Sequence, residues 1–137
     1  LVLKHQLACV DFTKADYTCG VDEPSFLQMI GLGRTTVTRE TKAVHVLTSV
    51  FAPMEIEVKL QHEWYMDTDD GWKLMDTMNF SMRGGRKDGW RIWSRKRNAK
   101  VGHWRVATRL KDGAVLGYEE FEVVDGPDDF PRVLTPL

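Results

Sequence analysis

Long hydrophobic runs are absent from this sequence. The longest apolar stretches, residues 26–32 and 43–52, are short and interrupted, whereas a membrane-spanning helix needs about 18 apolar residues. A secretory signal is also missing, and the chain opens on Leu1 rather than on methionine. We therefore expect a portion of a longer protein, with any leader or membrane anchor upstream. Internal repeats and low-complexity tracts are lacking as well, which argues against a repeat architecture.

Cysteine is scarce, with only Cys9 and Cys19 in the chain. A structural zinc site takes four ligands, and His5 is the only further ligand close by, so the pair does not indicate zinc. We predict a disulfide that ties the N-terminal segment back on itself, worth about 3 kcal/mol in the chain-entropy model. Two buried free thiols are the alternative. A disulfide would indicate an oxidising compartment, the periplasm or the cell exterior.

Charge is unevenly distributed along a chain whose net charge is only −1. Residues 83–109 carry ten Lys and Arg against Asp88 alone, while residues 55–76 carry seven acids against Lys59 and Lys73. One interpretation is that acidic and basic strands lie side by side and pair across a sheet. The other is a basic binding face.

Hydrophobic residues recur with the period of β-strands. Residues 58–66 alternate between apolar and polar side chains, residues 67–71 have the composition of a turn, and Trp72 starts a return strand, so this region predicts a hairpin. Residues 90–94, 103–110 and 115–124 alternate in the same way, and residues 35–50 are rich in Thr and Val. Pro24, Ser25 and Gly31 bound a short segment with the signals of one helical turn.

These strands, separated by Gly and Asp turns without long helices, predict an all-β, antiparallel, Ig-like β-sandwich. We divide the single domain into an N-terminal extension over residues 1–40 that packs on it, a sandwich over residues 41–125 and an extended tail over residues 126–137. The inward register predicts a core of large apolar side chains: Val44, Val46, Leu60, Trp64, Phe80, Ile92, Trp104, Val106, Leu116, Phe121 and Val123.

Four segments carry a resemblance to a known family: HEWY at residues 62–65, WRIWSRK at 90–96, GHWRV at 102–106, and DG at 112–113 followed by LG at 116–117 and FEV at 121–123. With this spacing, residues 62–124 resemble an uncharacterised bacterial domain of unknown function, found at the periplasmic end of membrane-anchored proteins. The resemblance implies an Ig-like sandwich in the cell envelope and brings no catalytic residues with it. Residues 1–40 have no counterpart in the resemblance.

Signals of catalysis or of a cofactor are weak. Ser94 does not stand in a nucleophile elbow, and the four histidines are scattered, with His62 on a core-facing register. The segment from Asp67 to Gly71 has the oxygen-rich look of a calcium loop but lacks the distal glutamate, so a hairpin turn explains it better. We therefore predict no catalytic set, no metal and no cofactor.

The segment from Trp90 to Arg97 is the one candidate binding site. Alternation sends Arg91, Trp93 and Arg95 to one face, and Lys96 and Arg97 extend the charge into the next loop. Such a face suits an anionic lipid or envelope glycan; no nucleic-acid motif is present. The competing interpretation packs Trp93 against a neighbouring element under the arginine stems.

Two functions follow from these patterns. The first is a non-enzymatic extracytoplasmic domain that contacts another protein or the rest of its own longer chain. The second is a binding module for an anionic surface through the basic face.

Overall fold

Ten strands and one helical turn make up the fold. The computed structural model describes residues 1–52, 54–55, 57–85, 87, 89–111 and 113–137, without the side chains of Phe26 and Leu27. Asp112 of the DG pair at residues 112–113 lies outside the described residues. In chain order the elements are β1 Val2–Thr13, β2 Thr18–Asp22, α1 Phe26–Met29, β3 Thr36–Arg39, β4 Val44–Phe51, β5 Glu57–Thr68, β6 Gly71–Arg83, β7 Trp90–Lys96, β8 Gly102–Leu110, β9 Val115–Asp125 and β10 Arg132–Pro136.

The strands form two five-stranded sheets that pack face to face. Sheet I has the order β10-β2-β1-β4-β7 and sheet II the order β3-β9-β8-β5-β6. The predicted β-sandwich is confirmed, and so is the hairpin of β5 and β6, which turns over two residues. One pair departs from the antiparallel pattern, because the short edge strand β3 runs parallel to β9.

Large aromatic side chains fill the space between the sheets. Trp64, Trp104 and Phe121 are buried. The ring of Trp64 makes edge-on contacts with the other two, at centroid distances of 6.3 Å to Trp104 and 6.2 Å to Phe121. Each such pair adds about 1 kcal/mol beyond the area that it buries. All the predicted core residues are buried except Phe80 and Leu116, which are partly buried at the margin of the core.

The structure does not keep the predicted division into extension, sandwich and tail. Strand β1 pairs with β4 over residues 2–9 in the middle of sheet I, and β10 pairs with β2 at its edge. Strand β1 was not recognised in the sequence because its ladder shifts register near Lys4 and again between Val10 and Thr13. A bulge adds an unpaired residue and so breaks the two-residue period on which the prediction rested.

A buried carboxylate joins the two ends of the chain to sheet II. Asp22 on β2 accepts hydrogen bonds from the Thr38 backbone and side chain, both at 2.7 Å, and lies 3.7 Å from Arg132 on β10. Arg132 in turn donates to the Thr38 carbonyl at 2.6 Å. Strands β2, β3 and β10 are thereby fastened to one another by polar contacts at one side of the sandwich.

Candidate functional site

The basic face predicted on β7 exists in part. Strand β7 is an edge strand, and its pairs with β4 place Arg91, Trp93 and Arg95 on the outer face of sheet I, opposite Ser49, Leu47 and His45. Arg91 and Arg95 are exposed, and within the described part of the chain neither has an acid at ion-pair distance. Two unpaired cations therefore stand on this face.

Trp93 between them is anchored in the sheet. Its ring lies 5.1 Å from Phe12 and 6.1 Å from His45, above a small outer cluster of Cys9, Cys19 and Leu47. The predicted Cys9–Cys19 disulfide is present and fully buried in that cluster. The indole thus forms the half-buried floor of the face, as in the interpretation that packs it against a neighbouring element.

Lys96 does not belong to the basic face. Strand β7 extends through residue 96, so the alternation turns Lys96 away from Arg95, and its Nζ lies 3.6 Å from Asp76 on β6. Arg97 follows in a turn, exposed, next to Asn98. The structure therefore brings together three of the five predicted residues.

Charge pairing between strands accounts for part of the basic segment. Arg109 on β8 donates to Glu63 on β5 at 2.6 Å, and that hydrogen bond raises the pKa of the arginine. Arg83 lies 3.5 Å from Glu55. Pairing between strands thus accounts for Arg109 and Arg83, whereas the basic binding face stays a prediction for Arg91 and Arg95.

A second surface, missed by the sequence reasoning, lies on the outer face of sheet II. The guanidinium of Arg105 stands 4.4 Å from the ring centroid of Trp72, 4.6 Å from that of Tyr118 and 5.5 Å from that of Tyr65. We call these four residues the Arg105 surface. They come from four neighbouring strands, β6, β5, β8 and β9. Alternation alone shows that Arg105 points outward, but only the register of all four strands brings the rings to it.

Acidic side chains border the Arg105 surface. His103 lies under the Trp72 ring at 4.9 Å, with Nδ1 3.4 Å from Asp67 and Nε2 3.3 Å from Glu120. The Glu63–Arg109 pair lies on the same outer face, beyond Tyr65 along β5. A cation in the centre is thus surrounded by carboxylates at the rim.

The interior contains a chain of polar side chains centred on His62. Ser94 Oγ lies 2.7 Å from His62 Nδ1 and accepts from Trp64 Nε1 at 2.9 Å. On the other side, His62 Nε2 is 2.8 Å from Thr48 Oγ1, which is 3.2 Å from Thr108 Oγ1. The chain ends where Thr108 donates to Gln6 Oε1 at 3.1 Å.

The end at Gln6 fixes the direction of every bond. Because Thr108 gives its proton to Gln6, it must accept from Thr48, and Thr48 must then accept from His62 Nε2. His62 is therefore the Nε2–H tautomer, and its bare Nδ1 accepts from Ser94.

This interior arrangement has no capacity for nucleophilic catalysis. Ser94 and His62 are at hydrogen-bond distance, but both are buried and the partner of the second imidazole nitrogen is a threonine rather than a carboxylate. Burial lowers the pKa of His62 to about 3, so its imidazole is a poor proton acceptor near neutral pH. His62 is buried, as its core-facing register predicted, and both ring nitrogens have hydrogen-bond partners.

Metal and membrane signals are equally limited among the described residues. The turn at Asp69 and Asp70 is held by Thr68, whose hydroxyl donates to the Gly71 carbonyl at 2.7 Å and accepts from the Asp70 amide. Within the described ranges no group of three or more His, Cys, Asp or Glu converges on a common point.

The helix of the described chain, α1, has four residues, too short to cross a bilayer.

Part of this chain matches a known protein family. Residues 57–123, which run from β5 into β9, match the family described as "Protein of unknown function (DUF2914)", and the resemblance seen over residues 62–124 is confirmed. The fold is similar to the crystal structure of an immunoglobulin-like protein from Pseudomonas aeruginosa, with 13% identity, a TM-score of 0.47, and coverage of 90% of this chain and 95% of that one. No curated protein matches the chain.

Proposed function

We propose that this domain is a non-enzymatic contact module of the cell envelope or the cell exterior, and that it binds a protein partner through the Arg105 surface. The partner is a separate protein or another part of a longer chain that carries the domain. The observation that carries this proposal is the composition and placement of that surface. Trp, Tyr and Arg are the residue types that dominate binding energy at protein interfaces.

The placement of the surface supports the same conclusion. The Arg105 surface crosses the three inner strands of sheet II, β9, β8 and β5, and reaches β6. Tyr118 leaves 47% of its surface exposed. A rigid sheet that presents aromatic rings at low conformational cost, inside a rim of charged groups, has the anatomy of a binding surface with a desolvated centre.

The absence of enzymatic activity is inferred from the chemistry of the titratable groups. The one serine–histidine pair in the described chain is buried in the core, and His103 lies between two acids, Asp67 and Glu120. Neither histidine is presented with a nucleophile beside an open cavity, the arrangement that histidine-assisted acyl transfer uses.

An extracytoplasmic location is supported by the disulfide. Bonds between cysteines persist in oxidising compartments and are rare in the reducing cytosol. The Cys9–Cys19 bond joins two strands of one sheet and is buried at both ends, as expected of a structural bond.

Photo-crosslinking in the organism that makes the protein would test the proposed contact. A photoreactive amino acid at position 118 is expected to give a discrete cross-linked product with a protein partner. The same amino acid at Lys14, exposed in the β1–β2 turn, is the matched control and should give none. A partner cross-linked equally from both positions, or from neither, would contradict the proposal.

A second function has one specific observation in its favour. Arg91 and Arg95 on the outer face of sheet I lack acidic partners in the described chain, and Lys4 adds a third cation above Phe51 at 5.2 Å. We propose an anionic lipid or glycan surface as the alternative ligand of this face.

A further inference from the structure

The guanidinium of Arg105 is held in place but is not neutralised. Its register neighbour on β9, Glu120, lies 3.3 Å from His103 Nε2 and not at ion-pair distance from Arg105, and Glu63 accepts a hydrogen bond from Arg109. Among the described residues no carboxylate lies within ion-pair distance of Arg105. Arg105 is therefore a cation fixed between two rings without a counter-charge.

The remaining donors of Arg105 are directed toward solvent. Its Nε is buried without a hydrogen-bond partner, whereas its two terminal nitrogens make no hydrogen bond within the described chain and are not buried. A guanidinium has five N–H donors in a rigid fork that matches the two oxygens of a carboxylate. The rings of Trp72 and Tyr118, whose centroids lie 4.4 and 4.6 Å from Arg105 Cζ, restrict the guanidinium and displace water around it, which strengthens a charge-assisted bond.

The charges around Arg105 restrict what the ligand can be. Asp67 and Glu120 flank the centre, so a polymer of closely spaced negative charges would be repelled at the rim while it was attracted at the centre. A segment with one carboxylate between basic side chains complements the pattern, because each charge then meets its opposite. Such alternation of sign over a few ångströms is a property of protein surfaces rather than of acidic glycans.

We infer that Arg105 receives a single Asp or Glu side chain of the protein partner, and that lysine or arginine next to this carboxylate meets Asp67 and Glu120. The inference rests on the proposed function and specifies the chemistry of the partner at the same surface. Trp72 and Tyr118 act here as walls that position the guanidinium.

Selection from a display library of short random peptides on the folded domain would test the inference. Enriched peptides are expected to share an Asp or Glu next to Lys or Arg. Replacing that acid by its amide in the peptide should weaken binding by about tenfold or more, the amount that a lost charge-assisted bond costs. The peptide variant leaves the domain unaltered, so this comparison does not depend on the folding of any mutant.

Substitutions in the domain provide the second readout. Arg105→Met keeps an unbranched apolar stem and removes the fork, and it should weaken binding of the same peptides to the same extent. Arg105→Lys keeps the charge without the fork, and its affinity for the peptides should lie between those of the wild type and of Arg105→Met. Arg83→Met removes an exposed arginine from the far end of β6, where it lies 3.5 Å from Glu55, and is the matched control expected to leave the affinity unchanged.

The outcomes separate the inference from the function on which it rests. The carboxylate inference would be overturned if the selected peptides lack an acid, or if Arg105→Met leaves their affinity unchanged. Either result leaves the contact function standing. Stronger binding of polygalacturonate than of any peptide would also overturn it, in favour of an acidic glycan. A selection that yields no binder overturns the inference. The proposed function falls with it only if the photo-crosslinker at position 118 captures nothing, or captures no more than the control at position 14.

Discussion

Ser94 Oγ lies 2.7 Å from His62 Nδ1 in the centre of the sandwich and links sheet I to sheet II. The same oxygen accepts the indole N–H of Trp64. One hydroxyl on β7 thus satisfies two buried groups on β5, and each group would cost free energy if it were left without a partner.

Ser94→Ala is therefore expected to lower the free energy of unfolding by more than the loss of one hydrogen bond would. It leaves the Trp64 donor and the His62 acceptor unpaired, at about 1–3 kcal/mol each. Urea denaturation would measure the change in the free energy of unfolding. Ser81→Ala is the control, because Ser81 donates to Glu57 on the exposed side of β6 and should cost under about 0.5 kcal/mol. Equal losses in the two variants would contradict the proposed role of the interior chain.

Removal of the disulfide by Cys9→Ala with Cys19→Ala should lower the free energy of unfolding by about 3 kcal/mol in the chain-entropy model, because the bond closes a loop with a sequence separation of 10. Thermal denaturation of both forms would measure the loss. Thiol titration of the unfolded, unreduced wild type should find no free thiol. Detection of two reactive thiols per chain would show that the bond is absent, and it would also contradict the argument for an oxidising compartment.

The pH dependence of stability should contain two opposing contributions. Burial raises the pKa of Glu119 from 4.5 to about 7, so the folded state holds a proton that the unfolded state has lost, and this contribution weakens as the pH rises from 4.5 to 7. Burial lowers the pKa of His62 from 6.5 to about 3, so stability is lost as the pH falls from 6.5 toward 3. Between pH 4.5 and 6.5 the two slopes oppose each other.

Glu119→Gln should expose the histidine contribution. Relative to this variant, the wild type should gain about 3 kcal/mol in the free energy of unfolding between pH 7 and pH 4.5, by the conversion of about 1.4 kcal/mol per pKa unit. Denaturation curves of both proteins at several pH values would measure the difference, and comparing the two cancels groups that titrate alike in each, such as His45. A difference that stays constant with pH would show that Glu119 ionises as it would in water.

The basic face of sheet I should bind vesicles that contain phosphatidylglycerol at low salt, if the second function holds. Binding should weaken as ionic strength rises, since exposed charges are screened within about 10 Å at 0.1 M. Changing Arg91 and Arg95 together to Ser should abolish it at a cost of about 1 kcal/mol in stability, because Arg91 also lies 5.1 Å from the Tyr17 ring. Changing Arg97 and Lys100 to Ser removes the same charge elsewhere and is the control. Equal losses of binding from both double changes would rule out a localised site.

The sequence predicted the strands whose alternation is unbroken, and it failed where local irregularity or strand register decides the outcome. Trp64 and Trp104 follow a clear two-residue period, and both are buried as predicted. Strand β1 was hidden because its bulges shift the inward positions to Gln6, Ala8 and Val10. A polar inward residue such as Gln6 is understandable only through its partner Thr108, which lies far away in the sequence.

The candidate sites show the same division. Alternation placed Arg91, Trp93 and Arg95 together because one strand contains all three. Lys96 was assigned to a loop because the end of a strand is the least certain part of such a prediction. The Arg105 surface depends on the alignment of four strands, and nothing in a single sequence fixes how those strands are shifted against one another.

The segment that carries the family likeness is not expected to fold by itself. Residues 57–123 keep most of sheet II, but β7 loses its ladder partner β4, and the sheet loses the layer of β1 and β4 that covers its inner face. Trp64, Trp104 and Phe121 would then face water. A fragment cut at those limits should behave as an expanded chain that associates through these aromatic side chains, so transplanting the module into another protein requires the strands before residue 52 as well.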